Sequence, residues 1–113
     1  MLRARGTLLT HTPYEIERTL RKLGQDLRTA RLRRGVSLQQ LAENIGVSRE
    51  VLGDAEKGKP STGIAVYASL LWTFGMLQHL EQVATPTSDI EGMRLESFRG
   101  PKIARSSRVD DDF

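Results

Sequence analysis

The side chains able to do chemistry gather in one stretch, SLQQLAENIGVSREVLGDAEKGKPS, residues 37–61. It offers Ser37, Gln39 and Ser48 as neutral hydrogen-bonding groups, Arg49, Lys57 and Lys59 as cations, and Glu50, Asp54 and Glu56 as anions. Such a set binds by hydrogen bond and charge rather than by covalent chemistry. No nucleophile–base pair, phosphate-cradling loop or pair of carboxylates at acid–base spacing stands out. There is no cysteine, and His11 and His79 have no carboxylate or histidine partner at metal spacing. The chain is therefore read as non-enzymatic, with no cofactor and no metal.

The elements that must position this set are two short amphipathic segments around one glycine. Ser37 caps the first, with Gln40 three residues on, and Leu38, Leu41, Ala42 and Ile45 form its apolar face. Gly46 stops it and supplies the left-handed backbone that a tight turn requires. Ser48 caps the second, whose Val51, Leu52 and Ala55 face inward until Gly58 ends it. A small residue at the crossing point (Ala42), a free turn residue (Gly46) and apolar locks (Val47, Leu52, Ala55) together are the requirements of a helix-turn-helix. A plain helical hairpin satisfies some of them without needing all three.

On the N-terminal side, THTPYEIERTLRKLGQDLRTARLRRG reads as one long helix. Thr12 is expected to cap it, with Pro13 in its first turn and Glu15 completing a capping box. Ile16, Leu20, Leu23, Leu27 and Ala30 form one stripe, Gly24 weakens the middle, and Gly35 ends the helix. A fourth helix opens at Pro60 and Ser61 with Ile64, Tyr67, Ala68, Leu71 and Phe74 inward. After Gly75 a fifth carries Leu77, Leu80 and Val83 inward. TLLTHT, residues 7–12, is the one stretch that alternates like a strand. From Thr85 onward, prolines, serines and scattered apolar residues describe a tail without a core of its own. This gives an N-terminal arm over 1–12, an all-α helix-turn-helix unit over 13–84 and a tail over 85–113, flexible or ordered by a partner.

The charge is uneven within a net +3. Residues 1–34 hold nine arginines and lysines against three acids, whereas residues 35–61 hold three against four and residues 62–113 five against seven. The basic footprint lies on the N-terminal third, suiting either a polyanion or a solvated helix face. No apolar run is long enough to span a bilayer. The absence of cysteine suits a cytoplasmic protein.

LRTARLRRGVSLQQLAENIGVSREVLGDAEKGKPS resembles the Cro- and phage-repressor-like helix-turn-helix family, also called XRE. Leu27, Arg31, Gly35, Ser37, Leu41, Ala42, Gly46, Val47, Ser48, Glu56, Gly58 and Pro60 carry the resemblance, which covers roughly residues 20–83. It implies a five-helix lambda-repressor-like domain whose third helix enters the major groove of double-stranded operator DNA, as a homodimer. It implies an ion pair between Arg31 and Glu56, so that Glu56 faces inward. It places Arg49, Glu50 and Asp54 toward the base edges, where arginine suits guanine and carboxylates accept from cytosine. Phosphate anchoring falls to Ser37, Gln39, Ser48, Lys57, Lys59 and the helix-terminal amides. The chain departs from the family at Leu38, where a phosphate-contacting glutamine is common, and at Gly53 in mid-helix.

Leu70, Trp72 and Met76 lie off the expected inward stripe of the fourth helix and its end. They are expected to form a self-association face or to pack on the long first helix. The tail, ATPTSDIEGMRLESFRGPKIAR, resembles the C-terminal ends of HipB-like antitoxins through Asp89, Gly92, Leu95, Glu96, Arg99 and Pro101. That second resemblance implies a HipA-like serine/threonine kinase toxin as partner and an operon repressed by its own antitoxin. The competing expectation is a protein-interaction module with vestigial DNA binding.

Overall fold

The computed structural model describes residues 7–100, which divide into two compact units between Leu77 and Gln78. In the first unit a helical turn over 7–10 precedes α1 (Tyr14–Arg33), α2 (Leu38–Ile45), α3 (Arg49–Lys57) and α4 (Ile64–Thr73). The short α5 (Leu77–Glu81) runs across the division. The second unit continues with a 3-10 turn (Pro86–Ser88) and α6 (Ile90–Arg99). The fold is all-helical with a helix-turn-helix, and no strand occurs among the described residues. The alternation at 7–12 therefore does not make a strand. Residues 7–10 are helical, and the Thr12 hydroxyl donates to the Leu8 carbonyl at 2.7 Å. Thr12 does not take the capping role expected of it, for it stands one residue before the cap position. Pro13 stands at the cap of α1, and no side chain caps that helix.

The core of the first unit is built from Leu27 and Ala30 of α1, Leu41 and Ala42 of α2, Leu52 and Ala55 of α3, Tyr67 and Leu70 of α4, and Phe74. Leu41, Leu52 and Leu70 are fully buried, each contributing about 1.5–3 kcal/mol by leaving water. The α2–α3 turn closes as the sequence demands. Gly46 takes φ 80° and donates to the Ala42 carbonyl. Ala42 itself is buried at the crossing.

The long helix α1 packs directly on α3. A Cβ added at Gly24 would lie 2.5 Å from the Glu56 carbonyl oxygen and 2.6 Å from that of Ala55. A Cβ at Gly58 would strike the Leu20 carbonyl and the Arg21 amide nitrogen. Two glycines thus remove side chains from both sides of one backbone-to-backbone crossing. Gly24 does not mark a weak point of α1, because the helix runs unbroken through it.

Three parts of the apolar pattern differ from expectation. On α4 the buried residues are Tyr67, Leu70 and Phe74, spaced i, i+3, i+7, while Ile64 is exposed. Tyr67 and Phe74 face inward as expected and Leu71 packs partly on the core, but the fully buried leucine is Leu70, which belongs to the core rather than to a surface. Val51 and Val83 are exposed, and so are Ile16 and Tyr14 at the start of α1. The C-terminal segment read as a coreless tail carries α6, none of whose residues is buried.

Candidate nucleic-acid interface

The two helices of the turn begin in the same way. Ser37 Oγ accepts the Gln40 amide at 3.1 Å, and Gln40 Oε1 accepts the Ser37 amide at 3.0 Å, closing a capping box. Ser48 Oγ accepts the Val51 amide at 3.1 Å. Both serine oxygens are engaged as acceptors, yet each hydroxyl keeps a proton to donate. A phosphate oxygen approaching either helix start would meet that proton and the helix-terminal amides together.

Arg49 and Glu50 open α3 and are exposed, with no hydrogen bond or ion pair to another described residue. Asp54 lies one turn further along, with Lys57 exposed at the end of the helix. Asp54 Oδ1 sits 3.3 Å from Lys59 Nζ, both side chains being partly solvated. An exposed pair of this kind is worth at most about 1 kcal/mol, so either partner can be drawn to another ion. Arg49, Glu50, Asp54, Lys57 and Lys59 also line one surface depression with Leu38 and Gly53. The structure thus brings the expected base-facing residues and two of the expected phosphate-facing lysines to one concave face. Gln39 is engaged elsewhere, donating to Glu43 Oε2 at 2.9 Å along its own helix.

Arg31 and Glu56 meet beneath this face. Arg31 Nε donates to Glu56 Oε2 at 2.7 Å, and a terminal nitrogen donates to Oε1 at 3.0 Å. A third donor reaches the Val36 carbonyl at 3.0 Å. Both residues are buried, at 7% and 8% exposure. The hydrogen bonds that Arg31 donates to the Glu56 carboxylate raise the Arg31 pKa above its ordinary value, against the opposing effect of burial. A fork of this geometry fixes α1, the α1–α2 loop and α3 relative to one another.

Arg34 is a positioning residue that sequence reasoning missed. Its guanidinium lies 4.8 Å from the Phe74 ring centroid and donates to the Ala30 and Phe74 carbonyls. It therefore joins the end of α1 to the end of α4. Nothing in the run Arg31-Leu32-Arg33-Arg34 distinguishes Arg34, exposed yet engaged by Phe74, from Arg33, which is exposed as well. Of the residues expected at a self-association face, Leu70 is buried and Met76 half-buried against the core, while Trp72 is 70% exposed.

No helix among the described residues is long and apolar enough to cross a membrane. No curated protein and no solved structure matches the chain. Residues 22–84, more than half of the chain, match the family model of a helix-turn-helix domain. The chain therefore belongs to the helix-turn-helix domain family, whose paired helices bind DNA.

Proposed function

We propose that the chain is a sequence-specific repressor of the phage-repressor-like kind, acting in the cytoplasm as a homodimer on a two-fold operator. The observation that carries this reading is the free, exposed pair Arg49 and Glu50 on the first turn of α3, flanked by two serine-capped helix starts. Arg49, Glu50 and Asp54 read bases in this account. Ser37, Gln39, Ser48, Lys57 and Lys59 hold phosphates, with Gln39 exchanging its Glu43 partner for one. The unit that does so spans residues 13–84, and Trp72 provides the exposed apolar contact between copies.

The residues 85–113 act as a partner-binding tail, and the partner proposed is a HipA-like kinase toxin whose operon the chain represses. Support comes from the placement of the tail motif. Asp89 caps α6 by accepting the Gly92 amide at 2.9 Å. Gly92, Leu95, Glu96 and Arg99 line one depression with Asp89. Pro101 lies outside the described residues. Exposed Ile90 and Phe98 on α6 favour the alternative of a protein-interaction module, for they need a covering surface.

The test is a fluorescence-anisotropy titration of the full chain against the duplex upstream of its own gene and against an unrelated duplex at the same salt. The repressor reading predicts preference of at least about 10³ for the upstream duplex, the lower end for specific DNA binders. Equal affinity for both contradicts it and leaves the interaction module.

A further inference from the structure

The floor of the α2–α3 depression is the one part of it that charge and capping do not explain. It is made of Leu38 and Gly53, with charged side chains around it. Gly53 stands in the middle of α3, where glycine lowers helix stability by about 1 kcal/mol relative to alanine. The fold gives no reason for it. Its φ is not positive, and a Cβ built on it would meet only Leu38 Cδ2, at 3.9 Å. That distance is ordinary van der Waals contact. Open space therefore stands against the backbone of α3 beside Leu38, with no side chain over it. Gly24 is the contrasting case, for its missing Cβ is explained by the backbone of α3.

We infer that this space receives the 5-methyl group of a pyrimidine in the major groove, thymine in unmodified DNA, and so makes Leu38 and Gly53 specificity-determining residues. The inference rests on α3 lying in the groove as proposed above. The thymine methyl is the one apolar group on a base edge of that groove, and it is read by apolar contact. A methyl group cannot stand at the Cβ position itself, but with no side chain on Gly53 it can rest about 3.5–4 Å from the Gly53 Cα, beside the Leu38 side chain. The absent side chain lets the base edge come up to the helix backbone. Arg49 on the same depression is free to hydrogen-bond a neighbouring edge, and Asp54 can do so by giving up its solvated pair with Lys59. Leu38 at the start of α2 supplies the apolar contact.

The experiment selects duplexes with the full chain from two random pools, one of unmodified bases and one carrying 5-methylcytosine for cytosine. The enriched site is then resynthesised with single replacements, deoxyuridine for thymine or cytosine for 5-methylcytosine. The expected result is one position in each half-site where losing the methyl weakens binding about fourfold, the equivalent of one buried methyl group. Enrichment from the unmodified pool assigns that methyl to thymine, and enrichment from the second pool alone assigns it to a modified cytosine. Gly53→Ala, with a melting temperature no lower than that of the parent, binds the site more weakly and no longer distinguishes the demethylated duplex. If no replacement weakens binding, or if Gly53→Ala keeps the discrimination, the methyl contact is wrong and DNA reading stands. If neither pool yields a site, the reading of α3 falls with it.

Discussion

Arg31 and Glu56 show how a charged pair can sit inside so small a domain. Each is covered, and the fork satisfies both carboxylate oxygens and three guanidinium donors. Removing one partner leaves the other charge buried without compensation. Glu56→Ala is expected to lower unfolding free energy by about 3–5 kcal/mol in a urea titration, and Arg31→Lys to lose part of that because an ammonium has no fork. A loss under about 1 kcal/mol, the range of exposed pairs, would show that the pair is solvated in solution. The pairing itself is visible in sequence only through resemblance, since the partners lie 25 residues apart. Glycine is legible in the sequence as a residue, but its reason is not. Gly24 and Gly53 both occupy helix interiors, yet one faces opposing backbone and the other open space. Gly24→Ala should destabilise by about 1–3 kcal/mol through overpacking. Gly53→Ala should instead stabilise, by about 0.5–1 kcal/mol. Melting temperatures that move in the same direction for both variants would contradict the crossing geometry described for α1 and α3.

At the scale of elements, local chemistry was the most legible part of the chain. The serine caps, the Gly46 turn and the small crossing residue each act within a few residues of themselves, and each is found in place. Ser48→Ala is expected to cost about 1 kcal/mol of stability, because the Val51 amide then loses its partner. Hydrogen exchange at Val51 should accelerate with it, and unchanged exchange would mean that the cap is not formed in solution. The phase of a mostly apolar helix was less legible. α4 reads IAVYASLLWT, and several adjacent stripes through it are almost equally hydrophobic. Tyr67 in it and Phe74 at its end are legible, but only packing selects Leu70 over Leu71 for full burial. Thr12 does not cap α1 because the helix begins one residue later than the pattern suggests, which puts Pro13 at the cap position.

At the scale of the whole molecule, the basic N-terminal third is less free than its charge suggests. Arg31 is buried in its pair with Glu56, Arg34 is held at the surface against Phe74, and Lys22 Nζ sits 2.8 Å from Asp26. Arg18, Arg21, Arg28 and Arg33 stay exposed and available to a polyanion. With so little charge on α3 itself, the proposed repressor would gain tight binding from two half-sites about 34 Å apart, held by a dimer. Sedimentation at micromolar concentration should show a dimer for the parent chain and a shift toward monomer for Trp72→Ser. A parent chain that sediments as a monomer while binding its operator fully would remove that contact. The central claim, that α3 reads bases through its exposed first turn, is tested most directly by Arg49→Ala in a titration against the selected operator and a random duplex. The account predicts a loss of about 1–3 kcal/mol on the operator, relaxed preference at one base pair and an unchanged melting temperature. Unchanged affinity for both duplexes would contradict it.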